Sequence, residues 1–107
     1  MMLTLPIKKK WFDMIASGEK KEEYREIKPY YTTRFYGRAY EYNVKKGFAK
    51  EYERKNITIL LRNGYSKSSP TLKANCVITK GYGKPEFGAE PNKEYYVLKI
   101  ISVERIN

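Results

Sequence analysis

Eight residues near the start of the chain, Gly18-Glu19-Lys20-Lys21-Glu22-Glu23-Tyr24-Arg25, set Lys20, Lys21 and Arg25 against Glu19, Glu22 and Glu23, with Glu26 just beyond. The chain around them is strongly positive, with 22 Lys and Arg against 12 Asp and Glu and a formal net charge of +10. A nearly neutral segment in so basic a chain is a candidate site. Arg25 offers a planar fork that grips a phosphate or carboxylate in two parallel hydrogen bonds, and Lys20 offers a point charge. Glu23, beside two cations, can accept from the exocyclic amine of a base or hold Arg25 in place. Burial of Lys20 would lower its pKa and make it a base or nucleophile, with Lys20 and Glu23 as the catalytic pair if the protein is an enzyme. The plain alternative is a salt-bridged strand surface that contributes little.

Composition narrows the chemistry further. The chain has no histidine and one cysteine, Cys76. No zinc site of ordinary ligand spacing and no intrachain disulfide are expected, nor any other cofactor, so acid-base work would fall to Lys, Glu, Asp, Tyr or hydroxyl groups. Cys76 lies in the apolar-leaning run Ala74–Ile78 and reads as a buried structural thiol.

Charge of this size favours polyanionic partners, RNA, DNA or nucleotides among them. Most of it sits in the middle, where residues 30–75 carry ten basic side chains against three acidic ones. Tyr30, Tyr31, Phe35, Tyr36, Tyr40, Tyr42, Phe48 and Tyr52 are interleaved with Arg34, Arg38 and several lysines. Aromatic faces stack on bases for about 1–3 kcal/mol each, while the cations neutralise phosphates. Arg34 and Arg38, with Tyr65 and Lys67 from the polar loop Tyr65–Pro70, therefore join Lys20, Glu23, Tyr24 and Arg25 as candidate ligand contacts. The competing use for any one tyrosine is packing on the sheet with its hydroxyl outward.

The elements that must position these residues follow from periodicity. Leu3-Thr4-Leu5 alternates and stops at Pro6, a short first strand. Ile7, Trp11, Met14 and Ile15 fall on one face of a helix from about Lys8 to Ser17, with Trp11 read as core, and Gly18 stands where a helix ends in the left-handed conformation. Residues 20–27 then read as extended, with Lys21, Glu23, Arg25 and Ile27 on one face, Glu22, Tyr24 and Glu26 on the other, and Lys20 at the bend. A short helix is expected from Thr32-Thr33 through Arg38 and another turn or two from Phe48 to Arg54. Asn56–Gly64, Thr71–Thr79 and Glu94–Ile106 read as strands, with Gly81–Pro91 as a loop. One early helix and five or six strands without alternating helices predict one domain over residues 1–107, α+β but mainly β. The sheet should be mostly antiparallel and curl into a small barrel, with one or two further short helices. Apolar Met1–Ile7 precedes Lys8-Lys9-Lys10, the reverse of a secretory leader, and no run approaches a membrane span, so a soluble cytoplasmic protein without a membrane partner is expected. The oligomeric state stays open.

Gly18-x-Lys20-x-x-Glu23-x-Arg25 directly after an N-terminal helix resembles the G-x-K-x-x-E-x-R motif of ASCH domains, small β-barrels of the PUA-like superfamily. Leu3-Thr4-Leu5, Asn63-Gly64-Tyr65, Pro85-Glu86-Phe87-Gly88 and Tyr95–Ile100 extend the likeness over nearly the whole chain. The resemblance implies a cleft between helix and sheet, lined by Lys20, Glu23 and Arg25, that receives RNA or a nucleotide-like ligand. Some relatives hydrolyse N4-acetylcytidine with a Lys, a Thr and a Glu, and a ribonuclease activity is attributed to others. Lys20 matches that Lys, whereas Glu23 stands where that subgroup has its Thr, and its later Glu has no identified equivalent here. A small hydrolase using Lys20 and Glu23 is thus the alternative function, and a protein-interaction domain for an acidic partner a third.

Overall fold

Alternating apolar residues build one curled sheet. In the computed structural model, which describes residues 2–107, Leu3–Pro6 form β1, Glu22–Arg25 β2, Lys55–Arg62 β3, Thr71–Tyr82 β4 and Glu94–Arg105 β5. Their order is β1-β3-β4-β5-β2, with β1 parallel to β3 and the other pairs antiparallel. The architecture is the expected α+β one, a five-stranded, mostly antiparallel sheet curled into a half-barrel. Its edges, β1 and β2, share no ladder, so the curl leaves a seam between them.

A β-bulge tightens the curl. Register against β4 shifts between Asn75, opposite Ser102, and Cys76, opposite Ile100, which leaves Ile101 unpaired and exposed. A bulge of this kind bends and twists its strand. It also explains how Ile100 and Val103, three residues apart, both pack against the core.

Helix α1 (Lys9–Ala16) follows β1 and buries Phe12 and Ile15. It packs against Leu5, Ile59, Leu61, Leu72 and Leu98 in the core of the curl. Each such side chain contributes about 1.5–3 kcal/mol on burial. Phe12, rather than Trp11 or Met14, is the deep partner of Ile15, and Trp11 stays half-buried at the seam. Gly18 ends the helix at φ +86°, as expected, and its amide bonds to the Ile15 carbonyl at 3.1 Å.

The middle of the chain differs most from its sequence reading. The first short helix there, α2 (Pro29–Tyr36), begins at Pro29 and ends before Arg38, because proline at the first helical position has φ already set and no amide to lose. The second, α3, is Tyr40–Lys45, while the segment from Phe48 to Arg54 is not helical; Tyr52 there adopts φ +52°. α2 lies on the sheet through Phe35, whose ring meets Tyr96 edge-on at 5.3 Å. Tyr36 and Tyr52 close around the same buried Tyr96 ring, each 6.0 Å away. β4 also runs past Thr79 to Tyr82, since Gly81 and Tyr82 keep register with Tyr95 and Glu94. The loop that follows contains a 3₁₀ turn, Pro85–Phe87. Among the described residues no helix is long and apolar enough to cross a membrane.

Candidate functional site

The seam between β1 and β2 is where the charged motif lies. β2 pairs Glu23 with Leu98 and Arg25 with Tyr96 of β5, so both motif side chains lie on the face of those buried partners, as the alternation predicted. Lys20 is 2 % exposed and Glu23 6 %. The Lys20 ammonium lies 3.1 Å from Glu23 Oε1 and donates to the Phe87 carbonyl at 2.5 Å. It faces the Trp11 ring at 4.7 Å and the Tyr24 ring at 4.9 Å, with Phe87 at 5.8 Å. An ammonium surrounded in this way is held by cation-π attraction as well as by its carboxylate.

The other Glu23 oxygen, Oε2, accepts from Arg25 Nη2 at 2.7 Å. The same Nη2 reaches across the seam to the Pro6 carbonyl at 2.7 Å, and Nη1 donates to the Tyr31 hydroxyl at 3.3 Å. A single guanidinium thus bridges the two edge strands and the first turns of α2. The Arg25 side chain is 10 % exposed, and its Nε is buried without a protein acceptor.

Burial holds the Lys20 pKa below its ordinary 10.5; Glu23 works against this and Arg25 adds to it. Burial also acts to lower that of Arg25, but the Glu23 charge and the Tyr31 and Glu23 hydrogen bonds outweigh it and the net shift is upward. Tyr24 is pushed well above its ordinary range, chiefly by burial, with help from Glu22, to which its hydroxyl donates at 2.8 Å. The same hydroxyl accepts from the Lys84 amide at 2.9 Å, tying β2 to the loop that carries the 3₁₀ turn. Cys76 is buried and, by that burial, pushed up to about 12, as an inert structural thiol should be.

Over this triad opens a cleft of about 420 Å³, lined by Glu23, Tyr24 and Arg25 from β2, by Trp11 and Tyr31 from the helices, and by Lys8 and Lys28. Phe87, Gly88 and Tyr95, with Pro6, Ile7 and the exposed Glu26, complete the wall. A Cβ on Gly88 would lie 2.9 Å from the Trp11 ring, and one on Gly83 2.7 Å from the Tyr24 ring, so the loop is pressed directly onto these aromatics. Among the described residues no cluster of three or more His, Cys, Asp or Glu could hold a metal ion.

Of the residues marked in the sequence, Glu23, Tyr24 and Arg25 converge on the cleft. Lys20 joins them but does not line it, being enclosed behind Trp11, Tyr24 and Phe87. Arg34 lies elsewhere, stacked 3.4 Å above the Tyr30 ring and bonded to the Tyr30 carbonyl, and Arg38 is exposed after α2. Both were marked as basic groups interleaved with aromatics; α2 turns Arg34 outward, and Arg38 lies beyond its end. Tyr65 and Lys67 are exposed in the loop after β3, and Tyr65 borders a neighbouring hollow that shares Pro6, Ile7 and Lys8 with the cleft. Trp11, Tyr31, Phe87 and Tyr95 were not singled out as site residues. Trp11 is signalled by its position one turn into the helix before the motif, and Phe87 and Tyr95 by lying in the stretches Pro85–Gly88 and Tyr95–Ile100 that extend the motif's likeness. Comparison of the chain with protein families, with curated proteins and with solved structures finds no match.

Proposed function

We propose that the chain is an RNA- or nucleotide-binding domain of the ASCH type, which takes a base or nucleotide in the seam cleft. The observation that carries this reading is the composition of the cleft: aromatic faces from Trp11, Tyr31 and Tyr95, cationic groups from Lys8, Arg25 and Lys28, one buried carboxylate, Glu23, and an exposed one, Glu26, turned toward Lys93. Aromatic rings give a base somewhere to stack, the second lone pairs of the Glu23 oxygens can accept from an exocyclic amine while the first hold Lys20 and Arg25, and the cations favour phosphate. The volume falls within the about 300–1,000 Å³ usual for small-ligand sites. A ligand acceptor on the cleft floor would also supply the partner that Arg25 Nε lacks.

The same geometry weighs against hydrolysis by Lys20 and Glu23. Lys20 is spent on the Phe87 carbonyl, on Glu23 and on three rings, and both Glu23 oxygens are engaged. A nucleophile or base needs an open approach to its substrate. Incubation with N4-acetylcytidine should give no turnover; turnover abolished by Lys20→Met would overturn this part.

Trp11 is the chain's single tryptophan, so its fluorescence reports on the cleft directly. Titration with nucleotides and short RNA should quench or shift it, more weakly as salt rises. Substitution of both Lys8 and Lys28 by Glu should weaken binding at least tenfold without unfolding, since both lysines are exposed. No spectral change with any nucleotide or RNA at low salt would sink the proposal.

A further inference from the structure

The seam cleft does not stand alone. Past Lys8 it meets a hollow of about 480 Å³ bounded by Arg62, Asn63, Gly64 and Tyr65, and the two share Pro6, Ile7 and Lys8. Past Lys28 it meets a larger one of about 680 Å³ between α2, α3 and the turn that follows, walled by Thr32, Tyr40, Tyr42 and Tyr52. Lys28 lines both of these. Three hollows, each with tyrosine or tryptophan in its wall, are therefore neighbours, two sharing Pro6, Ile7 and Lys8 and the third bordering the cleft at Lys28 alone.

The junction lysines have a second property in common. Lys8 is the N-cap residue of α1 and Lys28 that of α2; neither makes a side-chain cap, and neither helix has an acidic residue in its first turn. A helix N-terminus presents unpaired amides and a partial positive charge, which a neighbouring ammonium aggravates and an anion relieves. At α2 few amides are free, Pro29 having none and the Tyr31 amide donating to the Lys28 carbonyl at 3.0 Å, so there the dipole and the Lys28 charge act alone. Leaving both helix starts without an acidic residue, on either side of one cleft, conflicts with local stability and fits a site for phosphates. Independently, Arg25 in the cleft between them is nine-tenths buried with its Nε lacking an acceptor. The outer hollow beyond Lys28 also holds Glu41, Glu51 and Lys45. Its carboxylates suit base amines or sugar hydroxyls rather than phosphate, which leaves the phosphate to the Lys28 junction.

We infer that the three hollows form one track for a single-stranded polynucleotide, with a base in each and the two intervening phosphates seated at the starts of α1 and α2. The inference rests on the nucleotide reading of the seam cleft and extends it from one nucleotide to at least three. A duplex is excluded from such a track because its bases are stacked and paired, whereas unstacked bases can enter separate aromatic hollows.

Oligomer length tests it. Binding of mono-, tri- and hexanucleotides of RNA and of DNA, single-stranded and duplex, is read by Trp11 fluorescence at several salt concentrations. The single-stranded trimer should bind at least tenfold more tightly than the mononucleotide, with little further gain at the hexamer. Each seated phosphate should add about 0.7 to the salt slope, so Lys28→Ala should lower the trimer's slope by about that amount. Tyr42→Ala and Tyr65→Ala, both exposed, should weaken the trimer several-fold and leave the mononucleotide unchanged. A gain on lengthening confined to RNA or to DNA identifies the strand, and a gain with both assigns recognition to base and backbone; either supports the track. A mononucleotide that binds as well as the trimer, or a duplex that binds as well as the single strand, overturns the track and leaves the seam site standing. Failure of every nucleotide removes the seam site and the track with it.

Discussion

Lys20, Glu23 and Arg25 place two positive charges and one negative one where water scarcely reaches. Removing three charges from water is costly, and their attraction repays that cost only because each carboxylate oxygen meets one cation and the spare donors, Arg25 Nε excepted, find Phe87, Pro6 and Tyr31. The three members are therefore unequal. Glu23→Ala leaves two cations buried together and should cost about 3–5 kcal/mol in urea unfolding. Lys20→Met leaves the Glu23–Arg25 pair intact and an apolar stem among three rings, so its cost should be less than half as large. A Lys20→Met variant as unstable as Glu23→Ala would mean that the ammonium, not the carboxylate, organises the site. Because Lys20 does not line the cleft, Lys20→Met should also keep nucleotide affinity within about threefold, a change of less than ~1 kcal/mol.

Two glycines show how elements, rather than single contacts, position these residues. Gly18 at φ +86° turns the chain from α1 into β2, and Gly88 at φ +100° turns the end of the 3₁₀ turn toward Trp11. A Cβ at Gly18 would meet nothing within 4 Å, so Gly18→Ala should cost only the left-handed conformation, about 1–2 kcal/mol. Gly88→Ala adds a clash with the Trp11 ring and should cost more, with a change in Trp11 fluorescence that Gly18→Ala lacks. Equal losses with unchanged fluorescence in both would show that the loop does not press on the ring. Gly18 was legible because a left-handed glycine after an amphipathic run marks a helix end, and the face of Glu23 and Arg25 was legible because strands alternate. The contacts of Gly88 and Phe87 were not, since they depend on a loop folding back over α1 from far along the sequence. Trp11 read as core for a related reason: periodicity gives the inward face of a helix but not where the sheet beneath it ends. The first middle helix begins earlier than the Thr32-Thr33 cap suggests because Pro29 has its φ already set for the first helical position.

Across the whole molecule the aromatic-rich composition resolves into two populations. Tyr36, Tyr40, Tyr52 and Tyr96 pack against one another and against the sheet, while Tyr30, Tyr42, Phe48 and Tyr65 remain exposed. Composition could not divide them, because the division depends on which side of α2 and α3 meets the curl. Tyr24, Tyr36, Tyr96 and the Cys76 thiol set the alkaline limit of the fold. Burial pushes Tyr36 up to about 12 from 10.0 and Cys76 up to about 12 from 9.0, and raises Tyr24 and Tyr96 as well. A group whose folded pKa is raised keeps its proton where the unfolded chain would release it, so its contribution is full below the unfolded value and fades as pH climbs through the folded one. Lys20, lowered by burial, acts in the opposite sense and stabilises the fold as pH rises toward 10.5. Three phenols and a thiol outweigh one ammonium, so the urea midpoint should hold up to about pH 9 and then fall steadily toward pH 12. The loss of surface positive charge over that range relieves self-repulsion, but those charges are exposed and largely screened by salt. Absorbance of tyrosinate at alkaline pH should accordingly show a late-ionising group among the eleven tyrosines. Tyr24, Tyr36 and Tyr96 should ionise only as the chain unfolds. Eleven tyrosines titrating together before any loss of secondary structure would show that the packed set is open to solvent.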